Sequence, residues 1–223
     1  MVKIIDLTLP VKPHWRWGTE LERRKAHESG DLFQVSQFTI SCHGYTHVDA
    51  PVHFVPGGKT LDQIPLDAWM GEAVVVDLRH IGPEEGITAE ELERHGQSIR
   101  RGDFVLLNTG WDNRYNWETS EFWSRAPYLE RGGAEWLVNR GIRGIGFDFP
   151  ADYPIRDEIL NPGRRRDRGE WAVHDVFLSR DIRVMEYVVN LCAITQERVQ
   201  LFVAPLKLEG ADGSPARVFV LED

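Results

Sequence analysis

Cysteine is nearly absent from the chain. The two present among 223 residues, Cys42 and Cys192, lie far apart and form no C-x-x-C pair, which excludes a disulfide framework and a zinc knuckle. A reducing, cytoplasmic setting is the expectation. Positive charge is also short: 26 Lys and Arg against 35 Asp and Glu give a formal net charge of −9, so the general attraction to phosphate backbones is missing. Nucleic acid is not expected as a partner. Long apolar runs are lacking too, since the best stretch, residues 184–194, is interrupted by Glu186 and Asn190 and falls short of the ~18 to 20 residues of a membrane span. No membrane partner is expected, and the opening residues, Met1 to Asp6, enter a strand-like run with no signal-peptide core. Repeats, low-complexity tracts, long linkers, phosphate-cradling glycine loops and a G-x-S-x-G elbow are all missing. Solenoids, nucleotide chemistry and serine-hydrolase chemistry drop out with them.

What is present reads as one globular domain over residues 1–223, with 42% hydrophobic and 27% charged residues. Short apolar, β-branched runs predict strands at 38–40, 73–78, 103–108, 142–147, 183–189, 199–206 and 217–221. Helices separate some of them. The clearest is predicted over 88–96, opened by Thr88 and Glu91 as a capping box and stopped by Gly96; others fall at 134–140, ending at Gly141, and at about 170–179. The last would carry Trp171, His174 and Phe177 or Leu178 on one face. Strands without regular βαβ alternation predict an α/β protein with a mixed sheet. The basic run Arg164, Arg165, Arg166 and Arg168 follows Asn161-Pro162-Gly163 and reads as a solvated loop, a phosphate or carboxylate clamp being the alternative.

The chemistry concentrates in one segment. Residues 43–54 contain His43, His47, Asp49 and His53, and imidazole with carboxylate is the ligand set that zinc, manganese or iron accepts. Gly44, Thr46, Val48 and Pro51 oppose a helix there, yet a straight strand would part residues four apart by ~13 Å. The chain must bend, and Gly44 is the expected hinge.

These residues resemble the motif H-x-G-T-H-x-D-x-P-x-H-[FY] of the metal-dependent cyclase-like hydrolases, the family that includes bacterial kynurenine formamidase and isatin hydrolase. The positions His43, Thr46, His47, Asp49, Pro51, His53 and Phe54 match; the glycine comes one residue early, with Tyr45 in its usual place. Asp6-Leu7-Thr8, the strand leading to Thr109-Gly110-Trp111, and the strand ending at Asp148 are similar to further family segments. His174, with Glu186 twelve residues later before Asn190-Leu191, resembles the family's distant pair. The resemblance implies a swivelling β/β/α domain, His43, His47 and Asp49 as metal ligands, and His174 and Glu186 as metal-site residues completing a second site or its outer shell. It also implies His53 as the catalytic proton-transfer residue, and one or two divalent ions, Zn or Mn. The substrate would be a small molecule, an aromatic amide of the N-formylkynurenine type, with a cyclic amide or lactone, or silent ligand binding, as alternatives. Trp15, Trp17 and Trp111 are the candidate substrate-binding aromatics, and a homodimer or higher homo-oligomer is expected.

Independent of the resemblance, Glu186 inside Val184-Met-Glu-Tyr-Val189 is costly to bury unless it is paired or holds a cation. His174 on an amphipathic helix face, taken alone, reads more readily as a satisfied core histidine than as a ligand.

Overall fold

The computed structural model describes residues 2–222. The runs Ala73-Val-Val-Val76 and Phe104-Val-Leu-Leu107 are apolar at every position, the pattern of strands covered on both faces. They form β5 (Met70–Asp77) and β7 (Phe104–Asn108), which pair in parallel at the centre of a mixed sheet. β9 (Gly144–Phe147) and β10 (Arg183–Glu186) continue the parallel set. On the other side β11 (Arg198–Pro205) and β12 (Gly213–Glu222) add antiparallel strands. The short β4 (His47–Asp49) pairs antiparallel with both β10 and β12 and closes the sheet on itself. β1 (Lys3–Asp6) runs along the far half of β12. Two small pairs stand apart: β2 (Glu20–Lys25) with β3 (Val35–Thr39), and β6 (Gly86–Ile87) with β8 (Tyr128–Leu129). This is the mixed-sheet α/β architecture expected.

Alternation along each strand divides the apolar residues into two cores. Phe104 and Leu106 join Ala73, Val48, Met185, Leu201 and Val218 in the cluster enclosed by the curled sheet. Val105 and Leu107 join Val74, Val76, Ile145 and Phe147 against the helices. Gly144 makes room for this arrangement, because a Cβ there would stand 2.3 Å from the Phe104 ring.

The helical layer comprises α1 (Ala89–His95), α2 (Trp111–Arg114), α3 (Ser120–Ser124), α4 (Arg131–Arg140) and α5 (Tyr153–Leu160). Thr88 caps α1 by accepting the Glu91 backbone N–H, but the Glu91 side chain turns to His80 and Arg94, so the box is not reciprocal. α4 stops at Gly141, which takes a left-handed conformation, φ 74°. The segment around 170–179 is not one regular helix: a turn at Arg168–Glu170 precedes a wide π-helical turn at His174–Leu178. The basic run is tied down, with Arg164 and Arg166 paired to Asp157, and Arg164 also to Glu170. Both cysteines are free, and no helix among the described residues is long and apolar enough to cross a membrane.

Candidate metal centre

The bend before β4 is made by Tyr45, not by Gly44. Tyr45 carries φ 58°, at the position where the motif has glycine, while Gly44 keeps an ordinary negative φ. A non-glycine residue bears this conformation only when its surroundings hold it. The Tyr45 ring packs 4.5 Å from the Trp17 ring, and its hydroxyl donates to the Lys12 carbonyl and meets Thr19 Oγ1. Thr46 Oγ1 then donates to the Tyr187 carbonyl at 2.6 Å and accepts the Leu9 N–H, which fixes the entry into β4.

Within β4, His47 and Asp49 share one face and Val48 takes the other, in the enclosed core. Glu186, the last residue of β10, lies directly across the ladder from His47. His47 Nε2 stands 3.4 Å from Asp49 Oδ1 and 3.5 Å from Glu186 Oε2, with all three side chains buried. After β4 the turn Pro51–His53 folds the chain back, so the His53 ring stacks on His43 with centroids 3.8 Å apart. His43 Nδ1 is 2.8 Å from the same Asp49 Oδ1, and its Nε2 is 3.0 Å from Asp212 Oδ2. From the π-turn, His174 brings Nε2 to 3.6 Å from Asp49 Oδ2. Two donor groups result, His47, Asp49 and Glu186, and His43, Asp49 and His53, with Asp49 common to both.

These residues fit a divalent cation on a structural criterion. His47 Nε2, Asp49 Oδ2 and Glu186 Oε1 are buried without any hydrogen-bond partner, though native interiors leave few such atoms unsatisfied. His47 Nδ1 meets the Tyr45 carbonyl at 2.9 Å, so that nitrogen carries the proton and Nε2 presents its lone pair to the centre.

Protons compete for the same donors. Burial opposes charge on His174, yet the hydrogen bond to Asp152 outweighs it and raises the imidazole to about 10. Burial likewise opposes charge on His43, and its bonds to Asp49 and Asp212 raise it to about 9. Asp49, despite complete burial, is held well below the carboxylate range by His43 and His47, whereas burial pushes Glu186 up. His53, buried beside two other histidines, falls to about 4. A cation entering the centre would displace the protons on His43 and His174.

Two residues of the centre were not anticipated. Asp152 is fully buried and accepts the backbone N–H groups of Val173 and His174 together with His174 Nδ1, so it orients the imidazole. Locally it reads as a cap for α5, a bond it does not make. Asp212, just before β12, reaches His43 and lies 3.6 Å from His53. Asp152→Asn is expected to lower metal affinity by ~10- to 100-fold, as measured by competitive chelator titration, because it loosens the group that aims His174.

A cavity of about 220 Å³ opens onto the centre, with Trp17, Trp171 and Tyr187 in its walls and His43, His53, His174 and Glu186 at its floor. Of the candidate aromatics only Trp17 reaches it. Trp15 is half exposed and donates its indole N–H to the Glu118 carbonyl. Trp111 is fully buried, stacked on Tyr115 with its N–H on the Phe122 carbonyl. A separate group, His80, Glu91 and His95, lies on the surface, where Arg94 holds the second oxygen of Glu91.

Residues 5–151 match the family model Cyclase, described as "Putative cyclase". Kynurenine formamidase of Bacillus thuringiensis (strain Al Hakam) is 32% identical over 194 residues, covering 86% of this chain and 82% of the relative. A predicted metal-dependent hydrolase from Bacillus stearothermophilus superposes with TM-score 0.74 at 25% identity, covering all of both chains. Isatin hydrolase A from Labrenzia aggregata, bound to benzyl benzoate, shares the fold with TM-score 0.78 at 23% identity, covering 99% of this chain and 93% of the other.

Proposed function

The chain belongs to the Cyclase family, and from that premise we propose that it is a metal-dependent hydrolase of non-peptide carbon–nitrogen bonds, cleaving a small aromatic amide of the N-formylkynurenine type. The observation that carries this reading is the pair of donor groups sharing Asp49 at the floor of an aromatic-walled cavity. His47, Asp49 and Glu186, with His174 beside them, would hold one ion; His43 and Asp49 would hold a second, with Zn or Mn as the metal. A divalent ion there supplies Lewis-acid polarisation of a carbonyl and acidifies water.

The chain's own residues do the rest. His53 is neutral at pH 7 and accepts a proton from the attacking water. It returns that proton to the departing arylamine nitrogen. Asp212, 3.6 Å from His53 Nδ1, orients the ring. Trp17 and Trp171 flank the space for the aryl group.

Turnover of N-formylkynurenine, formanilide, isatin and a simple lactone, measured on the same preparation, tests the reading. Formamide cleavage is expected to dominate. Preference for isatin or the lactone would replace it with ring opening, and no turnover of any would favour a silent binding protein. We also read the chain as a homodimer or higher oligomer, supported by the hairpin β2–β3, whose Leu21 and Phe38 lie more than half exposed. Sedimentation as a monomer would remove that reading.

A further inference from the structure

The cavity contains one feature that neither ion binding nor water activation uses. Beyond the metal donors its lining is Trp17, Ile155, Trp171 and Tyr187, and then Arg16 and Glu158. Arg16 Nη2 meets Glu158 Oε2 at 3.2 Å, a contact between the opening segment and α5 across 142 positions. The Arg16 guanidinium carbon stands over the Trp123 ring, 4.8 Å from its centroid, and Trp123 packs edge-on to Trp17. The guanidinium is thereby held in place by the wall of the cavity. Its fork carries five N–H donors, and among the described residues the side chain makes one hydrogen bond. No other acceptor among the described residues engages this side chain, which lines the cavity.

A part-exposed ion pair adds little stability. Its placement is better explained by what it presents to the cavity: a cation and an anion side by side, in a space that also holds Trp17, Ile155, Trp171 and Tyr187 and leads to the metal centre. An anionic ligand would gain Arg16 but face Glu158 and a chain of net charge −9. A cationic ligand would gain Glu158 but face Arg16. A zwitterion satisfies both, its carboxylate taking the free edge of the guanidinium and its ammonium taking the Glu158 oxygens.

We propose that Arg16 and Glu158 form a receptor for the α-amino acid head of the substrate, so that the enzyme selects aromatic amides whose tail is zwitterionic. This inference rests on the aryl-amide reading above and adds the subsite that reads the tail. The ring lies between Trp17 and Trp171, and the amide carbonyl lies at the His43–His174 end of the cavity.

The test compares three formanilides within each enzyme preparation: N-formylkynurenine, its analogue lacking the amino group, and 2-formamidoacetophenone, which lacks the whole head. Discrimination is read as ratios of kcat/KM, which cancel any loss of folded enzyme. The native protein is expected to prefer the full head over 2-formamidoacetophenone by roughly 10- to 100-fold, the worth of charge-assisted hydrogen bonds. Arg16→Met should collapse that ratio toward one. Glu158→Gln should remove the preference for the amino compound over its desamino analogue. If no formanilide is hydrolysed, the aryl-amide reading fails. Calorimetric binding of kynurenine against 2-aminoacetophenone to the metal-loaded protein then asks about the subsite without turnover. Equal affinities, or ratios that neither variant moves, overturn the receptor.

Discussion

His47→Ala should strip the protein of metal and of hydrolysis together. The side chain is buried, its Nδ1 is fixed on the Tyr45 carbonyl, and its unpartnered Nε2 faces Asp49 and Glu186. No neighbour can substitute for a nitrogen aimed in this way. Loss of a partner that merely orients a ligand costs ~10- to 100-fold, and deletion of the ligand itself should cost more. Metal content by mass spectrometry and kcat/KM on the same sample check this, with circular dichroism to establish folding. A folded variant that kept its metal and rate would remove His47 from the centre.

His53→Asn should separate what His47→Ala joins. The proposed proton carrier, His53, is expected to contribute ~10²- to 10⁴-fold to turnover, so the variant should hold its metal and lose rate by that factor. The pH profile adds a sign. Burial first, and then the neighbouring histidines, hold the imidazole at about 4, below its ordinary value, and a bound cation pushes in the same direction. A base must be deprotonated, so activity falls as pH drops through that region, and this acid limb should vanish in His53→Asn. The stacking of His53 on His43 and their shared donor group with Asp49 supply the competing outcome. Metal lost in proportion to rate would make His53 a ligand.

The centre was legible where it is local and obscure where it is not. His43, His47, Asp49 and His53 fall in one short segment because a bend, a three-residue strand and a turn suffice to converge them. Glu186 was detectable as a carboxylate in an apolar run, and it lies buried opposite His47 with Oε1 left without a hydrogen-bond partner, as a cation donor would be. The bend itself was misplaced: glycine tolerance pointed to Gly44, whereas tertiary packing on Trp17 holds Tyr45 in the left-handed region. The strand predicted over 183–189 ends at Glu186 because Tyr187 turns to φ 54°. Asp152 and Arg16 gave no signal, since each acts on a residue more than twenty positions away. Tryptophan type alone could not tell the cavity wall at Trp17 from the core at Trp111, because an indole serves both and only its surroundings differ.

The central claim is that buried donors sharing Asp49 hold an ion on which hydrolysis depends. Metal stoichiometry of the purified protein, followed with its rate on N-formylkynurenine through chelation and readdition, tests it most directly. The account predicts at least one divalent ion per chain, loss of rate as the ion leaves, and recovery when Zn or Mn returns. A metal-free protein that remained fully active in excess chelator would contradict it.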